Sequence, residues 1–309
     1  MPIWLQIVCA LSAGLVSALL GIALVPFLRK VRAFPPDAPK GETLTDEERR
    51  PIMGGLLLLA GILFALVLSG TLWLQCSGAD RTSDAFSEQL RKFAAPAGYA
   101  GILCGIGIIS DILIVRGRYN RMLWDYIVPP MVLMAAMVSV GYLGFTEAEL
   151  TSNHWLVLLP LPACICFALE YLVERDTDGA GITVNAVEFL LLTILLLRKS
   201  LYLPSLLTLA AAGACIGCMV WCLHPAKCRI GKTGKFLLGG LLPQICLVCG
   251  MYKELALFMA VFLLQELYPK WTRGDKYFTE ALAGGRIQPL GQIAILAGIA
   301  ALCGVIALL

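Results

Sequence analysis

The sequence predicts an all-α integral membrane protein with about ten transmembrane helices and both termini outside. Three observations carry that reading. Of the 309 residues, 59% are hydrophobic, against about 45–50% in soluble domains, and the mean hydropathy is +0.82. Charged residues make up only 15%. They collect between apolar runs long enough to cross a bilayer, which takes about 20 residues as a helix. The basic residues, finally, concentrate in alternate loops.

The first apolar run starts at Ile3 and ends near Phe27. It has no charge before Arg29 and is longer than the apolar core of a cleavable signal, so it reads as a retained span. Further spans are expected at 52–75, 97–115, 127–145, 154–173, 181–197, 201–222, 235–251, 254–268 and 288–309. The sixth is short and carries Glu188. Backbone groups left unpaired in lipid are costly, so each span is helical. No internal repeat is visible, and residues 1–309 read as a single polytopic domain. Of the 24 Lys and Arg residues, 18 fall in odd-numbered loops. Basic loops stay in the cytoplasm, which puts the stretches near 29–51, 116–126, 174–180, 223–234 and 269–287 inside. The fourth loop carries Glu147 and Glu149 with no base, as suits an outer face. The expected location is the plasma membrane of a bacterium, with membrane lipid as a partner and no nucleic acid.

Twelve cysteines do not form a disulfide framework, because they are scattered singly through apolar runs. Cys215, Cys218 and Cys222 share one helix face, where small thiols serve as packing groups.

Three constellations stand out on the inner side. Residues 51–55 read PIMGG after Arg49 and Arg50, and paired glycines at a helix start allow close backbone approach. Asp111 lies in GIISDILIV at the inner end of the third span, and an ionisable residue there is a functional candidate. Residues 174–181 read ERDTDGAG, where Asp176 and Asp178 offer oxygens to a hard cation such as Mg²⁺. The seventh loop runs from His224 to Gly240 as HPAKCRIGKTGKFLLGG. Its GKT at 231–233 is not a P-loop: the earlier glycine is replaced by Ala226, and no strand precedes it. A Gly-rich loop with four bases suits a polyanion such as a diphosphate.

These stretches resemble the phospho-N-acetylmuramoyl-pentapeptide transferase family, a branch of the polyprenyl-phosphate phosphoglycosyl transferases. PIMGG resembles the family's PTMGG, GIISDILIV its GFIDDYLKV, and DTDGAG its NLTDGLDG. WCLHPAKCRIGKTGKFLLGG resembles FNxxPAKxFMGDTGSLxLGG over about 20 positions. Order, spacing and loop placement agree along nearly the whole chain. The resemblance implies transfer of a phospho-sugar from a UDP-sugar to undecaprenyl phosphate, with release of UMP and with Mg²⁺ on the diphosphate. Phosphoryl transfer needs positioning and charge neutralisation more than covalent help. It implies Asp111 and Asp178 as catalytic, metal-holding residues. It implies Lys40, Arg50, Gly54, Gly55, Arg175, His224, Lys227, Lys232 and Thr233 as substrate-binding residues. It also implies a homodimer, or pairing with a full-motif paralogue.

The departures are specific. The family's Asp pair is Ser110–Asp111 here, and the Lys that follows it falls at Ile114. The Asn three residues before Asp178 is Arg175, and the second Asp of DGLDG is Gly181. The Asp of MGDTGS is Lys232, and the Asn before PAK is Cys222. No histidine lies between Pro269 and Pro289, where the family's histidine cluster belongs. Two readings follow: a divergent member that binds ligand or partner with little or no catalysis, and an active transferase with a lysine-assisted site. A transporter is the remaining alternative, but repeated halves and mid-membrane breaks are missing from the sequence.

Overall fold

A computed structural model describes residues 3–34, 50–76, 84–118, 179–223, 226–272, 278 and 288–308. Within them the chain forms eight long helices and no strand: α1 (Ile3–Lys30), α2 (Gly55–Cys76), α3 (Asp84–Val115), α4 (Ala180–Arg198), α5 (Tyr202–Cys222), α6 (Gly231–Val248), α7 (Tyr252–Thr272) and α8 (Pro289–Leu308). The spans expected at 127–145 and 154–173 lie outside the described residues, as do the candidate site residues Lys40, Arg175, Asp178 and His224. Among the described residues, six helices, α1 to α5 and α8, are long and apolar enough to cross a membrane. The protein is a multi-pass membrane protein, helical throughout its described spans.

Sequence periodicity sorts each helix into lipid-facing and core-facing sides. On α1, Ile3, Ile7, Leu11, Leu15, Leu19 and Ile22 are exposed, a stripe at helical spacing. The opposite stripe, Leu5, Cys9, Ala13, Ser17, Gly21, Val25 and Leu28, is buried. Helix α5 is the centre of the bundle: every residue from Leu203 to Cys215 is buried, as expected of a helix that is apolar all round. It packs on α1, α2, α3 and α4. Trp221 at its end donates through Nε1 to the Ala18 carbonyl at 2.8 Å, tying α5 to α1.

Two helix starts differ most from the sequence reading. Helix α3 starts at Asp84 rather than near 97, because its polar first turns extend as a helix with a Glu88–Lys92 ion pair at (i, i+4). Helix α6 starts at Gly231 rather than 235. The GKTG tract expected as loop is its first turn, for a reason found at Asp111.

Successive helices run in opposite directions, so one end of the bundle gathers the end of α1, the start of α2, the end of α3, and the junctions into α4 and α6. Ile52 N–H donates to the Ala33 carbonyl, 2.9 Å, and Gly179 packs against the Cys222 carbonyl. The far end holds the α4–α5 turn, bonded to Gln89 of α3, and the end of α8, where Arg198 donates to the Leu308 carbonyl.

Candidate functional site

Three stretches meet at the first of these ends. Residues 51–55 and 229–230 exchange backbone hydrogen bonds: Arg229 N–H to the Pro51 carbonyl at 2.9 Å, Gly54 N–H to Arg229 O at 2.8 Å, and Gly55 N–H to Ile230 O at 2.8 Å. The two chains approach so closely that a Cβ on Gly55 would lie 2.1 Å from the backbone nitrogen of Gly234. The paired glycine is therefore a packing requirement.

The third stretch is the end of α3. Gly107 lets Thr233 sit directly on that helix, since a Cβ there would come within 2.6 Å of Thr233 Cα. One turn later Asp111 reaches the start of α6. Its Oδ1 accepts Lys232 N–H at 2.9 Å, and its Oδ2 accepts Thr233 N–H at 3.0 Å and the Thr233 hydroxyl at 2.6 Å. The first N–H groups of a helix have no partner within the helix, and negative charge is favoured there. Asp111 supplies that charge from a different helix. It caps α6 across the bundle, which is why α6 starts four residues early. Gly231 makes room with φ 68°; a Cβ there would fall 2.5 Å from Asp111 Oδ2.

The remaining candidates fall around this knot. Thr233 is buried, with its hydroxyl committed to Asp111. Lys232 is partly exposed, within electrostatic range of the same carboxylate. Gly54 and Gly55 form the backbone junction, and Arg50 precedes it. The Lys227 ammonium lies over the Trp221 ring, 5.3 Å from its centroid, a cation–π contact. The structure thus brings Asp111, Lys232, Thr233, Gly54 and Gly55 together. Asp178 lies outside the described residues.

Sequence reasoning put Cys218 and Cys222 on one helix face but missed Cys228, which joins them. Cys218 and Cys222 have sulfurs 3.6 Å apart, and Cys222 and Cys228 3.5 Å. The hydrogen bond with Cys222, and then burial, push the Cys228 thiol well above the usual range. A thiol held protonated is a packing group rather than a nucleophile. A pairing of Cys228 with Cys222 six residues earlier was not legible, because helix-face spacing does not extend into a loop.

Electrostatically the site is one-sided. Arg29, Lys30, Arg32, Arg116, Arg118, Lys227 and Arg229 are exposed at this end. The acid set among them is Asp111, which is 1% exposed.

No family model matches the chain. Relatives are consistent, however. The phospho-N-acetylmuramoyl-pentapeptide-transferase of Shouchella clausii is 24% identical over 257 residues, 79% of this chain and 74% of the relative. That of Microcystis aeruginosa is 24% identical over 285 residues, 85% and 74%. That of Bacillus subtilis is 23% identical over 271 residues, 83% and 79%. This chain is similar to phospho-N-acetylmuramoyl-pentapeptide transferases along most of its length. Agreement among such different bacteria supports that family.

The transferase resemblance brings Mg²⁺ with it, and the described donors do not fit that ion. Asp111 already accepts three hydrogen bonds, and a cation from Lys232 stands beside it. Ser110, where the family has a second carboxylate, is fully buried with its hydroxyl unpartnered. No group of three acidic, histidine or thiol side chains among the described residues has metal-holding geometry. A hard dication needs free carboxylate oxygens, and those of Asp111 already accept hydrogen bonds.

Proposed function

We propose that this chain is a divergent member of the phospho-N-acetylmuramoyl-pentapeptide transferase family. It sits in a bacterial plasma membrane with ten spans and its basic loops inside, and it acts in cell-wall precursor synthesis. It retains binding of the family's phosphorylated ligands, a UDP-sugar or undecaprenyl phosphate, with reduced or no transfer. The observation that carries this is Asp111: this retained acid is spent as a helix cap beneath a rim of exposed cations. Anions are favoured at a helix N-terminus, but the carboxylate of Asp111 already fills the start of α6. A diphosphate is left with the surrounding side chains, Lys232 among them. Lysine offers a phosphate a compact charge and, while protonated, cannot coordinate a metal. Pairing with a full-motif paralogue would supply catalysis that this chain lacks, whereas a homodimer would not.

The test is a binding titration of purified protein with UDP-sugars and undecaprenyl phosphate, with and without chelator, alongside an assay for UMP release. Binding that survives chelator, with no UMP release, supports the proposal. Loss of binding on chelation, or turnover with Mg²⁺ dependence, overturns it. The second outcome would favour the active, lysine-assisted reading, for which the observation is the partial exposure of Lys232 beside Asp111.

A further inference from the structure

The bundle end opposite Asp111 holds a cavity of about 390 Å³. Three elements wall it: α3 through Glu88, Gln89 and Lys92, the α4–α5 turn through Lys199 and Ser200, and the end of α6 through Cys249. Gln89 fixes the turn. Its Oε1 accepts Tyr202 N–H at 3.1 Å and Leu203 N–H at 3.4 Å, and its Nε2 donates to the Ser200 carbonyl at 3.3 Å. These bonds hold Ser200 in the left-handed region, φ 57°, so the cavity wall is preorganised.

The charges are unequal. Glu88 pairs with Lys92, while Lys199 has no carboxylate partner among the described residues. Lys92 and Lys199 line the same cavity with Cys249, from two different elements. One carboxylate against two cations leaves a net single positive charge, which matches a phosphodiester monoanion. The helices that form the cavity also expose Leu90 (α3) and Ile194 (α4). A cationic recess bounded by membrane helices fits a lipid, with its headgroup in the recess and its chains along the helices.

We propose that this cavity binds the phosphodiester headgroup of an anionic membrane lipid. Lys199 supplies the unpaired cation and Lys92 the second. A lysine ammonium binds a phosphate oxygen through a charge-assisted hydrogen bond. The proposal is independent of the Asp111 end and of any transferase reading.

The experiment uses the full chain in phosphatidylcholine nanodiscs doped with phosphatidylglycerol, with bound lipid counted by native mass spectrometry. Lys199→Gln is expected to weaken phosphatidylglycerol retention about tenfold, the effect of losing one charge-assisted hydrogen bond. Lys92→Gln should weaken it as well, and Lys199→Arg should restore it. Lys253→Gln, at an exposed lysine of the same end outside the cavity, should leave it unchanged. Equal retention by Lys199→Gln and the native chain would overturn the site. So would an equal loss in Lys253→Gln, which would mean diffuse surface charge, or equal retention of phosphatidylcholine. Inorganic phosphate occupying the cavity at concentrations where phosphatidylglycerol does not compete would assign it to a free anion and overturn the lipid reading.

Discussion

At the scale of single residues, the arrangement turns on whether Asp111 acts as a ligand or as a cap. Its carboxylate holds two backbone N–H groups and a hydroxyl at 1% exposure. Removing a helix cap costs about 0.5–2 kcal/mol, and leaving buried donors unpaired adds about 1–3 kcal/mol. Asp111→Asn points an NH₂ at donors or gives up one acceptor. It should destabilise the protein by about 2 kcal/mol, read as a drop in melting temperature that is the same with Mg²⁺ and with EDTA. A residue acting only as a metal ligand would leave the apo melting temperature unchanged. Thr233→Val keeps the shape and deletes one of the three bonds, so about 1 kcal/mol is expected. Because both changes break the same network, the double variant should lose less than the sum of the two. Additive losses would show that the hydroxyl and the carboxylate act separately. Ser110 gives the complementary case: fully buried, it has no room for a charge. Restoring the family's acid with Ser110→Asp should lower the melting temperature and confer no Mg²⁺ response, since an unpaired buried carboxylate is costly.

At the scale of elements, the joint between α3, α6 and the start of α2 depends on glycine spacing. Helix α3 carries its own control. A Cβ at Gly107 would strike the Thr233 backbone at 2.6 Å, whereas at Gly101 it would meet nothing within 4 Å. Gly107→Ala should therefore cost a few kcal/mol, as overpacking does. Gly101→Ala should be neutral or stabilising by up to about 1 kcal/mol through helix propensity. Thermal unfolding of the two variants reads the difference, and equal behaviour would mean that α3 and α6 are not in close contact at Thr233. The helices themselves were legible in the sequence, because a run such as Ile3 to Phe27 is long and uncharged, and length alone decides a span. The start of α6 was not legible. GKTG reads as loop by local propensity, and it is helical only because a carboxylate 120 residues earlier in the chain completes its first turn. For the same reason the resemblance named both Asp111 and Lys232 as site residues but not the bond between them, which runs to the lysine's backbone N–H rather than its ammonium.

At the scale of the whole molecule, the alternation of helix direction places two chemically different ends on opposite sides of the bundle. One carries Asp111 under seven exposed cations; the other carries the Lys199 cavity and, where described, both chain ends. Bases are retained on the cytoplasmic side, and the first end has them in excess, with no exposed acid among the described residues. The orientation is therefore testable at two points far apart in sequence. A reporter fused after Arg118, which follows α3, should read cytoplasmic, and one fused after Lys199, which follows α4, should read external. Between them lie residues 119–178, where two spans are expected. An even number of crossings there, followed by α4, puts Lys199 opposite Arg118, whereas an odd number would put both fusions on one side. A third fusion after Lys253 should agree with Lys199, because α5 and α6 together return the chain to the same face. If Arg118 and Lys199 report the same side, the ten-span count fails. If all three report the reverse orientation, the cationic rim faces away from the cytoplasm and out of reach of any UDP-sugar made there, and the proposed ligand class fails with it.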